Sequence, residues 1–195
     1  MAESLSIYGA KYENFIAPCH KIWIMQGDVQ VVGYLGEGTS KEVVANWDTP
    51  FADSSLAAKY AKANGLTQIF LTDISLQSTL NTMQVWTGNQ PYTFNLVMKF
   101  RAIKDPKIEV EDAIHALEVM MAPDPVAHGV AMRTPQPVTI DFGRRQILME
   151  CCIKSLSVPW DKEKNSEGYL IRADVALLVE TMKTVTQTDL KNSYK

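Results

Sequence analysis

The sequence predicts an α+β fold: an antiparallel sheet or half-barrel of about four strands, covered by one helix, with a β-rich extension on the N-terminal side. Three observations carry this prediction. Residues 94–102 alternate apolar and polar positions, which is the period of a strand with one buried face. Residues 110–121 repeat apolar side chains at helical spacing. Two further stretches, 146–158 and 171–180, alternate again and supply partner strands.

The stretch 93–105 is predicted to form the long central strand. Its inward positions are Phe94, Leu96, Met98, Phe100 and Ala102. Its other face is mixed and carries Asn95, Lys99 and Arg101. Pro106 ends the strand because proline has no donor for the ladder. The helix 110–121 is expected to pack on the apolar face of this strand.

The two later strands carry polar outer faces. In 146–158 the predicted inward side chains are Ile147, Met149, Cys151 and Ile153, and the outward ones are Gln146, Glu150 and Lys154. In 171–180 the outward side chains are Arg172, Asp174 and Glu180. A short strand at 138–142 precedes them. Asp141 in this strand and Arg144 after it are interpreted as an ion pair at a turn rather than as a catalytic pair.

The chain is predicted to divide into an arm and β-rich extension at 1–80, a β domain at 81–183 and a polar tail at 184–195. Within 1–80 the pattern indicates an arm or weak edge strand at 1–17, a hairpin from 21–25 and 29–35, a strand at 41–47, a helix near 54–64 and a strand at 67–73. Residues 82–86 are expected to be extended. Trp86 is expected to anchor the turn at 88–91 against the core. The tail is expected to be mobile or ordered by a partner.

Composition argues for an ordinary folded protein. The 195 residues are 46% hydrophobic and 21% charged, with a formal net charge of −3. Nothing in this balance points to general affinity for duplex nucleic acid or an anionic membrane. No run of 18 apolar residues predicts a membrane span, and the N-terminus lacks the pattern of a secretory signal.

No stretch carries the signature of a catalytic, cofactor or metal site. The glycines at 33–38 lack the lysine that a phosphate loop places after its second glycine, because Thr39 follows Gly38. They are interpreted as a turn. Cys19 and His20 would make a metal site only if Cys151 or Cys152 approached them, and buried free thiols are the simpler interpretation. The expectation is therefore no enzyme, no cofactor and no metal.

Residues 86–180 resemble the tube-type proteins of contractile-tailed bacteriophages, above all the baseplate tube-initiator proteins. The likeness lies in the opening Trp-Thr-Gly-Asn-Gln-Pro-Tyr-Thr-Phe at 86–94, the Met-Met-Ala-Pro that ends the helix, the Pro-Val-Thr-Ile-Asp-Phe-Gly at 137–143 and the strand at 172–180. It covers about half of the chain, and the region 1–80 departs from a minimal tube subunit.

The resemblance implies a structural protein that forms a hexameric ring, joins the baseplate hub to the tail tube and helps to form the DNA channel. Its partners would be further copies of itself and the neighbouring tube, hub and baseplate proteins. DNA would be passing cargo only, with no membrane contact. The protein would belong to the virion after assembly in the host cytoplasm. An alternative is a non-viral interaction or adaptor module without catalysis.

Two sets of residues are candidates for the contacts of such a ring. Candidates for a lumen or ring face are Asn95, Lys99, Arg101, Glu150, Lys154, Arg172 and Asp174. Candidates for subunit contacts are Tyr8, Tyr12, Phe15 and Ile16 in the arm, and Val126, Val130 and Met132 in the proline-rich loop 124–137. Mixed charge on the first set suits a channel that DNA passes without sticking, because fixed positive charge binds phosphate.

Overall fold

The computed structural model describes residues 5–10, 16–48, 84–125 and 132–194, about half of which lie in strands. The strands are β1 Ser6–Gly9, β2 Lys21–Gln26, β3 Val29–Leu35, β4 Ser40–Glu42, β5 Ala45–Asp48, β6 Val85–Asn89, β7 Thr93–Arg101, β8 Asp124–Pro125, β9 Met132–Arg133, β10 Val138–Phe142, β11 Gln146–Ser157 and β12 Arg172–Thr181. The α-helices are α1 Asp112–Met121 and α2 Gln187–Ser193, and a π-helical turn at Lys107–Glu111 leads into α1.

Six strands close into an antiparallel barrel in the order β3-β2-β10-β11-β12-β7, with β7 pairing back to β3. At the closure Tyr34 lies opposite Lys99, and Leu35 lies opposite Met98. The prediction of a four-stranded sheet or half-barrel is therefore wrong. It assigned the hairpin β2–β3 to a separate extension, whereas these strands are two of the six in the barrel. Alternation shows which faces of a strand are buried but does not identify the strand's partners.

The connection from β3 to β4 runs along β7 and completes this closure. The Gly36 N–H donates to the Val97 carbonyl at 2.7 Å. The Thr39 hydroxyl accepts from the Val97 N–H at 3.1 Å and donates to the Gly36 carbonyl at 2.9 Å. Beyond this turn β4 pairs with the first residues of β7. The prediction that these glycines form a turn is confirmed.

One core fills the barrel and continues under α1. Its fully buried members include Phe94, Phe100, Ile22, Ile24, Leu96, Met98, Leu117, Ile140 and Val110. The predicted inward face of β7 from 94 to 100 and the predicted helix near 110–121 are confirmed. The helix packs mainly against β1, β3 and β11, and so it covers part of a closed barrel rather than the face of one open strand.

A bulge in β11 reverses the predicted faces of its first half. Glu150 adopts a positive φ of 54°, and the register with β10 shifts at this point. Gln146 and Leu148 are therefore buried, whereas Met149 is 72% exposed. The predicted inward place of Met149 and outward place of Gln146 are wrong, because one extra residue in a strand moves every earlier side chain to the other face.

The chain divides into two compact units. One comprises Met1–Val43 with Pro91–Lys195, and the other is Val44–Gln90. In the second unit the structure describes the hairpin β5–β6, where Trp47 lies opposite Trp86. Trp86 is 55% exposed and donates from Nε1 to Asn89 Oδ1 at 2.9 Å. The prediction that Trp86 anchors the turn in the core is wrong. The predicted helix near 54–64 and strand 67–73 lie outside the described residues.

Short elements appear where the sequence pattern predicts loops. In the loop 124–137, β8 pairs with β9. In the tail, α2 begins with a capping box in which Thr186 and Asp189 each hold the other's backbone N–H.

The predicted ion pair at the turn after β10 is confirmed, since Arg144 Nη1 lies 2.9 Å from Asp141 Oδ2. The Arg144 guanidinium also stacks 4.2 Å from the centroid of the Trp23 ring.

A buried carboxylate holds the connection from β7 to α1. Glu109 is almost fully buried and accepts from the N–H groups of Ile103, Lys104 and Asp105, the last two at 3.2 and 3.5 Å. These amides lie past the end of the β7 ladder and have no strand to pair with. The carboxylate satisfies them, and so the chain can turn sharply from the barrel wall into the helix.

We expect Glu109→Ala to lower the free energy of unfolding by about 2–3 kcal/mol, because it removes the acceptor shared by three partly buried N–H groups. Urea denaturation measures the change. Glu118→Ala is the matched control: Glu118 is exposed on α1, and the effect there should stay within about 0.5 kcal/mol. Equal midpoints for the two variants would show that the carboxylate does not hold this connection.

Candidate assembly surface

The outer face of β4, β7, β12 and β11 brings together most of the predicted lumen residues. Side chains opposite each other on paired strands share a face. Lys99 lies opposite Asp174, Arg101 opposite Arg172, and Asn95 opposite Ser40 of β4. We call this four-stranded surface the polar face. Six of the seven predicted lumen residues lie on it: Asn95, Lys99, Arg101, Lys154, Arg172 and Asp174.

The charges of the polar face are mixed and partly paired. Lys154 Nζ lies 3.1 Å from Glu180 Oε2, and this hydrogen bond raises the pKa of Lys154. Lys99 and Asp174 are opposite charges directly across the ladder. Their attraction and the Lys154–Glu180 pair leave no strong field of one sign over this part of the face.

Arg101 and Arg172 form a like-charged pair at one end of the polar face. The Ala102 N–H donates to the Ile171 carbonyl at 2.9 Å, which sets the alternation of the ladder. By that alternation Arg101 and Arg172 face each other at a non-hydrogen-bonded position, where side chains are closest. Neither makes an ion pair with a residue that the structure describes. Like charges placed this way repel each other and favour an external negative partner.

Glu150 is the seventh predicted lumen residue and lies apart from the polar face. It occupies the bulge of β11 and makes an ion pair of 2.7 Å with Lys183 just after β12. The Met182 N–H donates to the Glu150 carbonyl at 2.8 Å, which places exposed Met182 beside the bulge that exposes Met149. Alternation alone assigns Met149 to the core, and so this pair of exposed methionines has no counterpart in the sequence prediction.

The sheet behind the polar face has two unpaired edges. Along β11 the pairing with β10 stops at Cys151, whereas β11 continues to Ser157 beside β12. Its other edge over 152–157 therefore has no strand partner among the described residues. The outer edge of β4 also has no strand partner among the described residues. Unpaired backbone N–H and C=O groups at such edges are templates for another strand.

The predicted subunit contacts are only partly within the described residues. Tyr8 lies in β1, half-buried against the core, because β1 pairs in parallel with β3. Ile16 is half-buried before the short 3₁₀ turn at Pro18–His20. Met132 contributes backbone pairing in β9. The other four residues, Tyr12, Phe15, Val126 and Val130, lie outside the described residues.

The three cysteines are free and have different surroundings. Cys19 is exposed, Cys152 half-buried and Cys151 buried. Burial, with a smaller contribution from neighbouring Cys152, raises the pKa of the Cys151 thiol to about 12. Within the described ranges, no three His, Cys, Asp or Glu side chains come close enough together to hold a metal ion.

In native protein at pH 8, we expect maleimide to label Cys19 readily and to leave Cys151 unmodified, because the thiolate is the reactive form. A Cys152→Ser background separates the adjacent thiols, and peptide mass spectrometry over time follows the reaction. Labelling of Cys151 after unfolding in urea is the control. Modification of both native thiols at one rate would contradict the burial of Cys151.

Comparison with known proteins leaves the chain without an assigned family. In the part that the structure describes, no helix has the length and apolar character needed to span a membrane. No protein-family model matches the chain, and no curated protein matches it in sequence. The polar face and its unpaired edges therefore carry the functional argument.

Proposed function

We propose that this protein is a ring-forming structural component of a contractile phage baseplate, one that joins the hub to the tail tube and helps to form the DNA channel. The observation that carries the proposal is the polar face, which is bounded by an unpaired edge on each side. The role is structural rather than catalytic. Its place would be the baseplate of the virion, after assembly in the host cytoplasm.

Strand direction supports a joint between copies. Along β4, β7, β12 and β11 every neighbouring pair is antiparallel, so β4 and β11 run in opposite directions. If the free edge of β11 in one copy meets the free edge of β4 in the next, the new pair is again antiparallel. Repetition around an axis then gives one continuous antiparallel wall with no open edge.

Because the barrel is closed, few strand edges are free to join a neighbouring copy. A four-stranded sheet would leave two long edges open, whereas most strands of the barrel have a partner on both sides. The joint now rests on two short edges. By the alternation of the ladder, the N–H and C=O of Leu156 point away from β12 and are directed to the free side of β11. These backbone groups would pair with the neighbouring copy.

The chemistry of the polar face supports its exposure to a channel. Its exposed or half-buried side chains include both signs of charge and uncharged polar groups, such as Asn95 and Ser155. A polyanion that passes such a wall meets no continuous band of positive charge. The like-charged pair Arg101–Arg172 at one end would be the local exception, and it would be repeated once per copy.

We expect rings of six by negative-stain imaging and mass measurement, at high protein concentration or with the neighbouring baseplate protein. Crosslinking locates the joint. In a background with Cys19→Ser and Cys152→Ser, the variants Glu42→Cys and Ser157→Cys in one chain lie on opposite edges, at least about 14 Å apart because three strand spacings separate them. A disulfide between them must therefore join two copies and should give a ladder up to six.

Lys107→Cys with Ser157→Cys is the control for this experiment, because Lys107 is exposed in the turn before α1 and outside the polar face. It should give no ladder. Ser155→Cys replaces Ser157→Cys as a second register of the joint. A strictly monomeric particle at every concentration, with the neighbouring protein and within an intact virion, would falsify the proposal.

We expect the double variant Asp174→Lys and Glu180→Lys to bind duplex DNA where the wild-type protein does not, because the reversal leaves the polar face positive. Fluorescence anisotropy between 50 and 200 mM salt should show binding that weakens with salt, by a slope of about 0.9 per phosphate contact. Glu163→Lys with Glu167→Lys, in the loop before β12, makes the same change in net charge. Equal DNA binding by both double variants would show that the charge of the polar face does not control DNA binding.

A further inference from the structure

An open cavity of about 230 Å³ lies at one end of the barrel wall. It is lined by Thr39, Ser40, Lys41, Phe94, Phe142 and Gln146. Lys41 lies opposite Phe94 in the β4–β7 pair, and Phe94 faces the core. Lys41 therefore points towards this cavity. Its neighbour Ser40 also lines the cavity, at the point where β4 meets Asn95 of the polar face.

The walls of the cavity are aromatic. The rings of Phe94 and Phe142 lie 5.4 Å apart between centroids with a tilt of 31°. They provide an apolar surface for a small flat group. Tyr194 stands at the same end of the barrel, because it forms an antiparallel bridge with Gln146.

Gln146 brings an unused donor to the cavity. The residue is 8% exposed, and its Nε2 is buried without a hydrogen-bond partner among the described residues. Buried amide groups are nearly always paired in folded proteins. The bulge at Glu150 places Gln146 here, since it turns this side chain inward. An acceptor that entered the cavity would satisfy the amide.

Lys41 brings a cation without an acidic partner. Its Nζ lies 4.8 Å from the centroid of the Tyr92 ring, 5.8 Å from Phe94 and 5.9 Å from Tyr194. Ring faces attract an ammonium group, and the exposed side chain of Lys41 also stays open to solvent. No carboxylate that the structure describes makes an ion pair with Lys41. The ammonium and the Gln146 amide are therefore two donors at one cavity.

We propose that this cavity binds a small organic monocarboxylate with a flat apolar body. One carboxylate oxygen accepts from Gln146 Nε2, and the other accepts from Lys41 Nζ. The apolar body packs against Phe94 and Phe142. A carboxylate fits because it has two acceptor oxygens and no donor, which matches two donors on the protein. The proposal of this site does not depend on ring assembly.

Benzoate is the probe, and benzamide is the neutral control of the same shape. In the full-length protein, titration followed by ¹⁵N NMR of the glutamine side-chain amides should show saturable binding of benzoate. A dissociation constant of about 0.1–1 mM is expected for a ligand of this size. The Gln146 amide signal should move, and benzamide should bind at least about tenfold more weakly.

Two variants test the contacts. Lys41→Met keeps the packing on the rings but removes the charge, and should weaken benzoate binding at least about tenfold. Gln146→Leu removes an unsatisfied buried donor, so it should keep or raise the melting temperature while it weakens binding. Lys107→Met, remote from the cavity, should bind benzoate as the wild-type protein does.

Three results would overturn the proposal. The first is no saturable binding of benzoate. The second is binding that Lys41→Met and Gln146→Leu leave unchanged, or that benzamide equals. The third concerns a peptide with blocked termini, whose one carboxylate is a glutamate side chain. The proposal fails if this peptide binds through Lys41 and benzoate does not bind. That result would assign the cavity to a protein partner instead of a small acid.

Discussion

The fold depends on the close approach of β3 and its following turn to β7. Gly33 and Gly36 permit it: a Cβ on Gly33 would lie 2.8 Å from Met98 Cε, and one on Gly36 would lie 2.7 Å from Val97 Cγ1. Without this contact the six strands would form an open sheet with two long edges. With it, the apolar faces of all six strands enclose one core. Among the described residues of this sheet, pairing is incomplete at β4, β1 and the end of β11.

Local periodicity predicted the elements whose side chains have a simple alternation. The inward face of β7, the helix near 110–121 and the final strand follow directly from apolar spacing, because burial of one face imposes that spacing. The closure could not be predicted in this way. Tyr34 and Lys99 meet across 64 intervening positions, and nothing in the period of either strand specifies its partner.

The polar face was predictable and its edges were not. The alternation of buried apolar positions identifies an outer face, and six of the seven candidates lie together on it. The inward turn of Gln146 and the exposure of Met149 depend on Glu150, a non-glycine residue with positive φ. Residues other than glycine rarely adopt that conformation, and glutamate is not a residue type that marks a bulge. The sequence pattern therefore could not predict the cavity that Gln146 lines.

The second compact unit is inserted between β4 and β7, which are neighbours in the wall. Its ends meet, since the Gln90 N–H donates to the Val44 carbonyl at 2.9 Å. The entropy of closing such a loop rises slowly, by about 0.6 kcal/mol for each doubling of its length. The length of this insertion should therefore have little effect on the stability of the barrel. A longer or shorter segment between Val44 and Gln90 is compatible with the same six-stranded barrel.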